Sequence, residues 1–175
     1  AKIIAHSGRL GTAKNLSGIS SSVFEADFSD PNSINQFIEF VQAETSLIDV
    51  LINNAGTMLG RFPADELTTD QYQQLVSLNQ TSVVQITSAL IPWLRQSQNA
   101  SIINTVSISA TTGGSPGSSI YSASKAFVST YTKALARELA PNNIRANAVS
   151  PGTIATDFHK RYSSEEKLES TRQSI

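Results

Sequence analysis

Short β-branched runs alternating with helical stretches predict a doubly wound α/β fold built on a parallel sheet. Three observations carry that expectation. Each apolar run stops at turn-forming or acidic residues, amphipathic stretches of 3.6-residue period lie between the runs, and the chemically capable residues cluster at the runs' carboxyl ends. With 175 residues, 39% of them hydrophobic and 15% charged, the chain reads as one cored domain spanning 1–175 and not as a disordered segment.

The elements follow in order. Lys2 to Ser7 is a strand ending at Gly8-Arg9, and Val23 to Asp27 is a second one ending on an acidic residue. After Asp30-Pro31, a cap and a first-turn proline, Ile34, Phe37, Ile38 and Val41 recur at helical spacing. Ile48 to Ile52 runs into the turn residues Asn53-Asn54-Ala55-Gly56, as a buried parallel strand would. Thr69 to about Arg95 reads as mostly helix, with Pro92 near its end. Ser101 to Ser107 is the fourth strand, and Thr111 to Ser119, with three glycines and a proline, is expected to be a loop. A helix from about Ile120 to Leu139 closes at Ala140-Pro141-Asn142-Asn143, and Ile144 to Val149 is a strand ending at Pro151-Gly152. The tail beyond Thr156 is polar, with helix expected around 163–170. In such a sheet, covered on both faces, ligands bind outside the carboxyl ends of the strands. Gly8-Arg9, Asp27, Asn53 to Gly56, Ser107 and Pro151-Gly152 all fall there.

Several function classes are disfavoured at once. Thirteen basic against fourteen acidic residues, a net charge of −1 and no block of like charge argue against nucleic acid or an anionic membrane as partner. Absent cysteine removes thiol catalysis and thiolate metal sites, and His6 and His159 are too far apart in sequence to suggest a metal centre. No apolar run approaches the roughly 20 residues that cross a bilayer, and Ala1 to Arg9 does not read as a signal peptide. The expectation is a soluble, cytoplasmic protein without a metal.

Tyr121-Ser122-Ala123-Ser124-Lys125 sets a phenol and an ammonium one helical turn apart on one face. A phenol ordinarily loses its proton near pH ~10, and a neighbouring cation lowers that value, so Tyr121 is a candidate acid or base. Ser107 closes the preceding strand and can hold a substrate oxygen against Tyr121. The spacing alone more commonly marks a surface lysine lying beside a half-buried tyrosine.

The ordered set goes further. Asn53-Asn54-Ala55-Gly56, Asn79, Asn104-Thr105-Val106-Ser107, Tyr121-Ser122-Ala123-Ser124-Lys125, Ile144 to Gly152 and Thr156 appear with the order and spacing of the short-chain dehydrogenase/reductase family. The chain resembles that family over nearly its whole length. The resemblance implies a Rossmann-like fold and an oxidoreductase moving hydride between NAD(P)(H) and a small-molecule carbonyl or secondary alcohol. It implies Tyr121 as proton donor and acceptor, Lys125 lowering its pKa and binding the nicotinamide ribose, Ser107 positioning substrate, and Asn79 holding a relay water. Ser109 is a rival for the serine role.

The resemblance also assigns cofactor contacts: Asn54, Ala55 and Gly56 on the adenosine side, Asp27 at the adenine, and Pro151, Gly152, Ile154 and Thr156 at the carboxamide. Arg9, where an acidic residue would favour NAD, points to NADP, with NAD as the alternative. Phe158 and Tyr162 suggest an apolar wall. The family's habit implies a homo-oligomer, dimer or tetramer, formed through the helices over 69–95 and 120–139.

The chain departs from the family pattern at both ends. It opens at what would be the second strand, without the Gly-rich phosphate turn, and stops before the last strand; Gly56 to Gly60 lies too late to serve as that turn. The missing first strand belongs mid-sheet, so two half-sheets with unpaired inner edges are expected. The chain then reads as part of a longer enzyme, the alternative being a non-catalytic fragment or nucleotide-sensing relative.

Overall fold

Every β-branched run becomes a strand, and every pairing is parallel. The computed structural model describes residues 1–8, 11, 16, 18–20, 22–154 and 156–173. Its strands are β1 (Ile4–Ser7), β2 (Ser22–Glu25), β3 (Val50–Asn53), β4 (Ser101–Thr105) and β5 (Arg145–Val149). They form two sheets, β1-β2 and β3-β4-β5, and among the described residues no strand joins them, so the expected break in mid-sheet is present.

Helix α1 (Pro31–Glu44) starts where Asp30 accepts a hydrogen bond from the Asn32 amide, satisfying a donor that the first turn leaves free. The long helix over 69–94 begins at a reciprocal capping box between Thr68 and Gln71. It is not uniform. α2 (Thr69–Val76) and α3 (Ser82–Leu94) are joined by a π-turn, Ser77–Thr81, which periodicity did not foresee. Helix α5 (Ser119–Leu139) passes into a short 3₁₀ turn and stops at Asn143 in the left-handed region. The segment expected to be a loop starts as one helical turn, α4 (Ser109–Thr112), which takes in Thr111 and Thr112; Gly113 at φ 79° ends it. Beyond Thr156 lie α6 (Asp157–Tyr162), which the sequence reading did not separate, and α7 (Glu165–Gln173).

The core lies on one side of the sheets. Phe28, Ile34, Phe37, Val41, Ile86 and Leu90 pack α1 and α3 together, while Leu94, Ile102, Leu135, Leu139 and Ile144 pack α5 against β4 and β5. Leu51 touches both clusters, so its face of β3 is the covered one. Val50, Ile52 and Val149 point the other way and are 51%, 60% and 52% exposed, so the two-sided cover expected of a doubly wound sheet is one-sided among the described residues.

A polar network crosses this layer beneath the strand ends. Asn53 Nδ2 donates to Asn104 Oδ1 (2.8 Å) and Thr87 Oγ1 (3.0 Å), and Asn104 Nδ2 donates to Thr132 Oγ1 (2.8 Å), tying β3, β4, α3 and α5 together. All four residues are buried, so deleting one partner strands the others without water. Asn104→Ala is therefore expected to lower the free energy of unfolding by about 3 kcal/mol, read as a lower urea midpoint at unchanged slope.

Candidate active site

The ends of β3, β4 and β5 are zipped into one floor. The Val106 amide donates to Val149 O (2.8 Å), the Ile108 amide donates to Pro151 O (3.2 Å), and Thr105 Oγ1 donates to Asn54 Oδ1 (3.1 Å). Above them, Ser122 Oγ donates to Gly113 O (2.9 Å), docking the small-residue loop on the first turn of α5. Gly114 must be glycine: its φ is +74°, and a Cβ would stand 2.5 Å from Ser118 Oγ and 2.8 Å from Ser122 Oγ. This docking fixes the start of α5 and with it Tyr121.

The cleft so formed, about 520 Å³, is lined by Ser107, Ser109, Tyr121 and Lys125 together with Asn54, Gly56, Pro151, Gly152, Ile154 and Thr156. Tyr121 and Lys125 are both buried, with the Lys125 ammonium 6.0 Å from the centre of the Tyr121 ring. Lys125 Nζ donates to the Thr105 carbonyl at 2.8 Å. Burial drives its pKa down from 10.5 to about 8, since a desolvated ammonium sheds its proton more readily.

Tyr121 departs from the sequence reading. Burial pushes the phenol above its ordinary value, and the hydrogen bond with Ser107 opposes that rise; Lys125 is not among the causes. In this arrangement desolvation sets the net direction, upward, against the net lowering expected from the Lys125 spacing. The phenol stands protonated at neutral pH, the form that donates. Of the two rival serines it is Ser107 that hydrogen-bonds the phenol; Ser109 also lines the cleft, with 2.7 Å between the two hydroxyls.

Asn79 lies on the π-turn, fully buried, outside the cleft wall. Its Oδ1 accepts from the Thr57 amide (2.9 Å), and its Nδ2 donates to Thr57 O (2.8 Å) and Ser124 Oγ (3.1 Å). Gly56 separates it from Lys125: a Cβ at Gly56 would stand 2.9 Å from Lys125 Nζ and 3.3 Å from Asn79 Oδ1. Ala55 packs against the core cluster of α1 and α3, and Asp27 accepts from the amide and hydroxyl of Ser29; neither is among the described residues lining this cleft. Arg9 lies outside the described residues.

Sequence reasoning placed Phe158 and Tyr162 in an apolar wall but missed Thr57 and Arg61, which hold it. Phe158 on α6 lies tilted against Tyr121, 5.9 Å between ring centres, and meets Tyr162 edge to face at 4.9 Å, and these rings join Met58 and Leu75, giving substance to the expected apolar wall. Thr57 Oγ1 and the Tyr162 hydroxyl lie 2.8 Å apart. Arg61 donates from Nε to Tyr162 O (3.0 Å) and from Nη1 to Pro116 O (3.0 Å), clamping α6 to the loop over 113–118. Partners 55 and 101 residues away leave no local signal in the sequence.

The family profile described as short chain dehydrogenase matches residues 7–167. The chain belongs to the short-chain dehydrogenase family. Cyclopentanol dehydrogenase of Comamonas testosteroni is 36% identical over 130 residues, which is 74% of this chain and 51% of that relative. Among solved structures, the 3-ketoacyl-(acyl-carrier-protein) reductase of Brucella melitensis complexed with NADH is similar with a TM-score of 0.85 at 27% identity, covering 97% of this chain and 72% of that one. The RhlG/NADP active-site complex of Pseudomonas aeruginosa has a TM-score of 0.86 at 25% identity, covering 100% and 72%. The chain spans about half the length of the first of these relatives. As in other α/β folds of the family, the sheet is parallel with flanking helices, though smaller here. Among the described residues no helix is long and apolar enough to cross a membrane, and no cluster of three or more His, Asp or Glu could hold a metal.

Proposed function

We propose that this chain carries the reaction centre of an NAD(P)(H)-dependent oxidoreductase acting on a carbonyl or secondary alcohol. The observation that carries the reading is Ser107 hydrogen-bonded to a buried, protonated Tyr121 with the Lys125 ammonium one helical turn away, all on one cleft. Nucleotides bound in the similar structures of Brucella and Pseudomonas support the cofactor class. The bare Cα of Gly56 beside Lys125 and the open space around Gly152 suit a nucleotide approaching the strand ends.

In this reading Asn54, Gly56, Lys125, Pro151, Gly152, Ile154 and Thr156 hold the dinucleotide, which supplies or takes up hydride when bound. Ser107 donates to the substrate oxygen and holds it near Tyr121 Oη. Negative charge growing on that oxygen is met by the Ser107 hydroxyl and discharged by the Tyr121 proton. The Lys125 ammonium stabilises the phenolate left behind, and the Phe158 and Tyr162 rings exclude water. Asn79 acts from behind, fixing Thr57 and Ser124 around the lysine. Helices α3 and α5 would supply the interface of a homo-oligomer.

The test is titration of the natural full-length protein with NADPH and NADH, with nucleotide oxidation followed over a carbonyl panel. NADPH binding tighter than NADH, and weakened by about tenfold or more in Arg9→Ala with NADH little changed, supports the reading and its NADP preference. Binding of neither nucleotide sinks both.

A further inference from the structure

We infer that a second hollow beside the reaction cleft, walled by Arg61 and Arg161, receives an anionic oxygen group, a carboxylate or a phosphate, carried by the substrate at the end remote from its carbonyl. The inference rests on the oxidoreductase reading and names the substrate class for it. The hollow holds about 670 Å³ and opens next to the cleft, with Arg61 and Ser163 lining both. Its remaining wall includes Leu59, Ser164 and Arg161.

Three features point to an anion. First, among the described residues no Asp or Glu lines either hollow, and the acidic residues within five positions of the two arginines, Asp65, Glu66, Asp157, Glu165 and Glu166, stay off the wall. Second, Arg61 is held in place: two of its five N–H donors are spent on Tyr162 O and Pro116 O, and the others have no partner among the described residues. Third, Arg161, on the last turn of α6, makes no hydrogen bond or ion pair among the described residues. Two guanidinium groups lining one hollow with no carboxylate beside them offer charge-assisted hydrogen bonds to a carboxylate or phosphate that enters it. Because Arg61 is already fixed, little side-chain freedom is lost on binding. The sequence showed no such cluster, since the two arginines are a hundred residues apart and meet only through the clamp on Tyr162.

The experiment uses the natural full-length protein saturated with nucleotide. The substrate pairs are levulinate and its longer oxo-acid homologues, each against its methyl ester, and hydroxyacetone phosphate against hydroxyacetone. At some chain length the anion is expected to show a KM about tenfold below its neutral partner at similar kcat, the better pair distinguishing carboxylate from phosphate. Arg161→Gln, which breaks no contact within the described residues, removes the difference by raising the anion's KM and leaving the ester's alone. Equal KM for anion and ester at every length, or an unchanged preference in Arg161→Gln, overturns the inference. If no carbonyl is turned over, the oxidoreductase reading has failed, and calorimetric titration of the nucleotide-saturated protein with inorganic phosphate decides the anion site separately. Phosphate heat lost in Arg161→Gln supports it; equal heat, or none in either protein, overturns it.

Discussion

Tyr121→Phe is expected to lower carbonyl reduction by about three orders of magnitude while leaving nucleotide affinity within about threefold. The substitution removes one oxygen from a ring that is otherwise packed against Met58, Leu75 and Phe158, so the wall and the fold persist. What is lost is the proton that the phenol carries at neutral pH and that Ser107 orients. Single-turnover rates with saturating nucleotide, paired with fluorescence titration of the same sample, measure both quantities. A variant retaining more than about a tenth of the rate would show that the proton comes from elsewhere. The same geometry sets the pH profile. The Lys125 ammonium is present below about 8 and lost above it, so the reduction rate should be level at neutral pH and fall as pH rises through that value.

Lys125→Met should abolish reduction and yet stabilise the cofactor-free protein at neutral pH. An ammonium with a pKa of 10.5 when unfolded and about 8 when folded binds its proton more weakly in the native state. Below about pH 8 both states carry the proton and the whole burial cost is borne, on the order of 3 kcal/mol. As pH rises from about 8 toward 10.5 the folded state sheds its proton first, so the cost fades and the stability of the parent protein climbs. Methionine fills similar space with no charge, and its gain is reduced by roughly 1 kcal/mol because Thr105 O loses its donor. A net gain of about 1–2 kcal/mol in urea unfolding near pH 7, shrinking toward pH 10, is the expected signature. Loss of stability at both values would show that the lysine is structural.

Local chemistry carried most of the fold. The helices over 31–44 and 119–139 were legible because their apolar residues repeat with the helical period and their ends carry a capping Asp30 and a closing Asn143, features contained within a few neighbouring residues. The strands were legible as β-branched runs, though each proved a residue or two shorter. Tyr121 and Lys125 were found for the same reason: four residues on one helix must share a face. The break between β1-β2 and β3-β4-β5 was foreseeable from the order of the elements, as was the convergence of Ser107, Tyr121 and Pro151-Gly152 at the strand ends.

Other features depend on contacts between segments far apart in the chain. Asn79 was picked out only by resemblance to the family, and its bridge to Thr57 and Ser124 from a π-turn is visible only in the folded chain. Ala55 and Asp27 were picked by position, and only the folded chain shows the first packing on the core and the second accepting hydrogen bonds from Ser29. By itself the sequence determined the element order, the parallel sheet and the pairing of a phenol with an ammonium, because periodicity and capping act over one or two helical turns. Only the tertiary structure decided that the phenol stays protonated, that the lysine is weakened to about 8, and that Arg61 ties α6 to the loop over 113–118, because burial and long-range hydrogen bonding exist only once distant segments have packed.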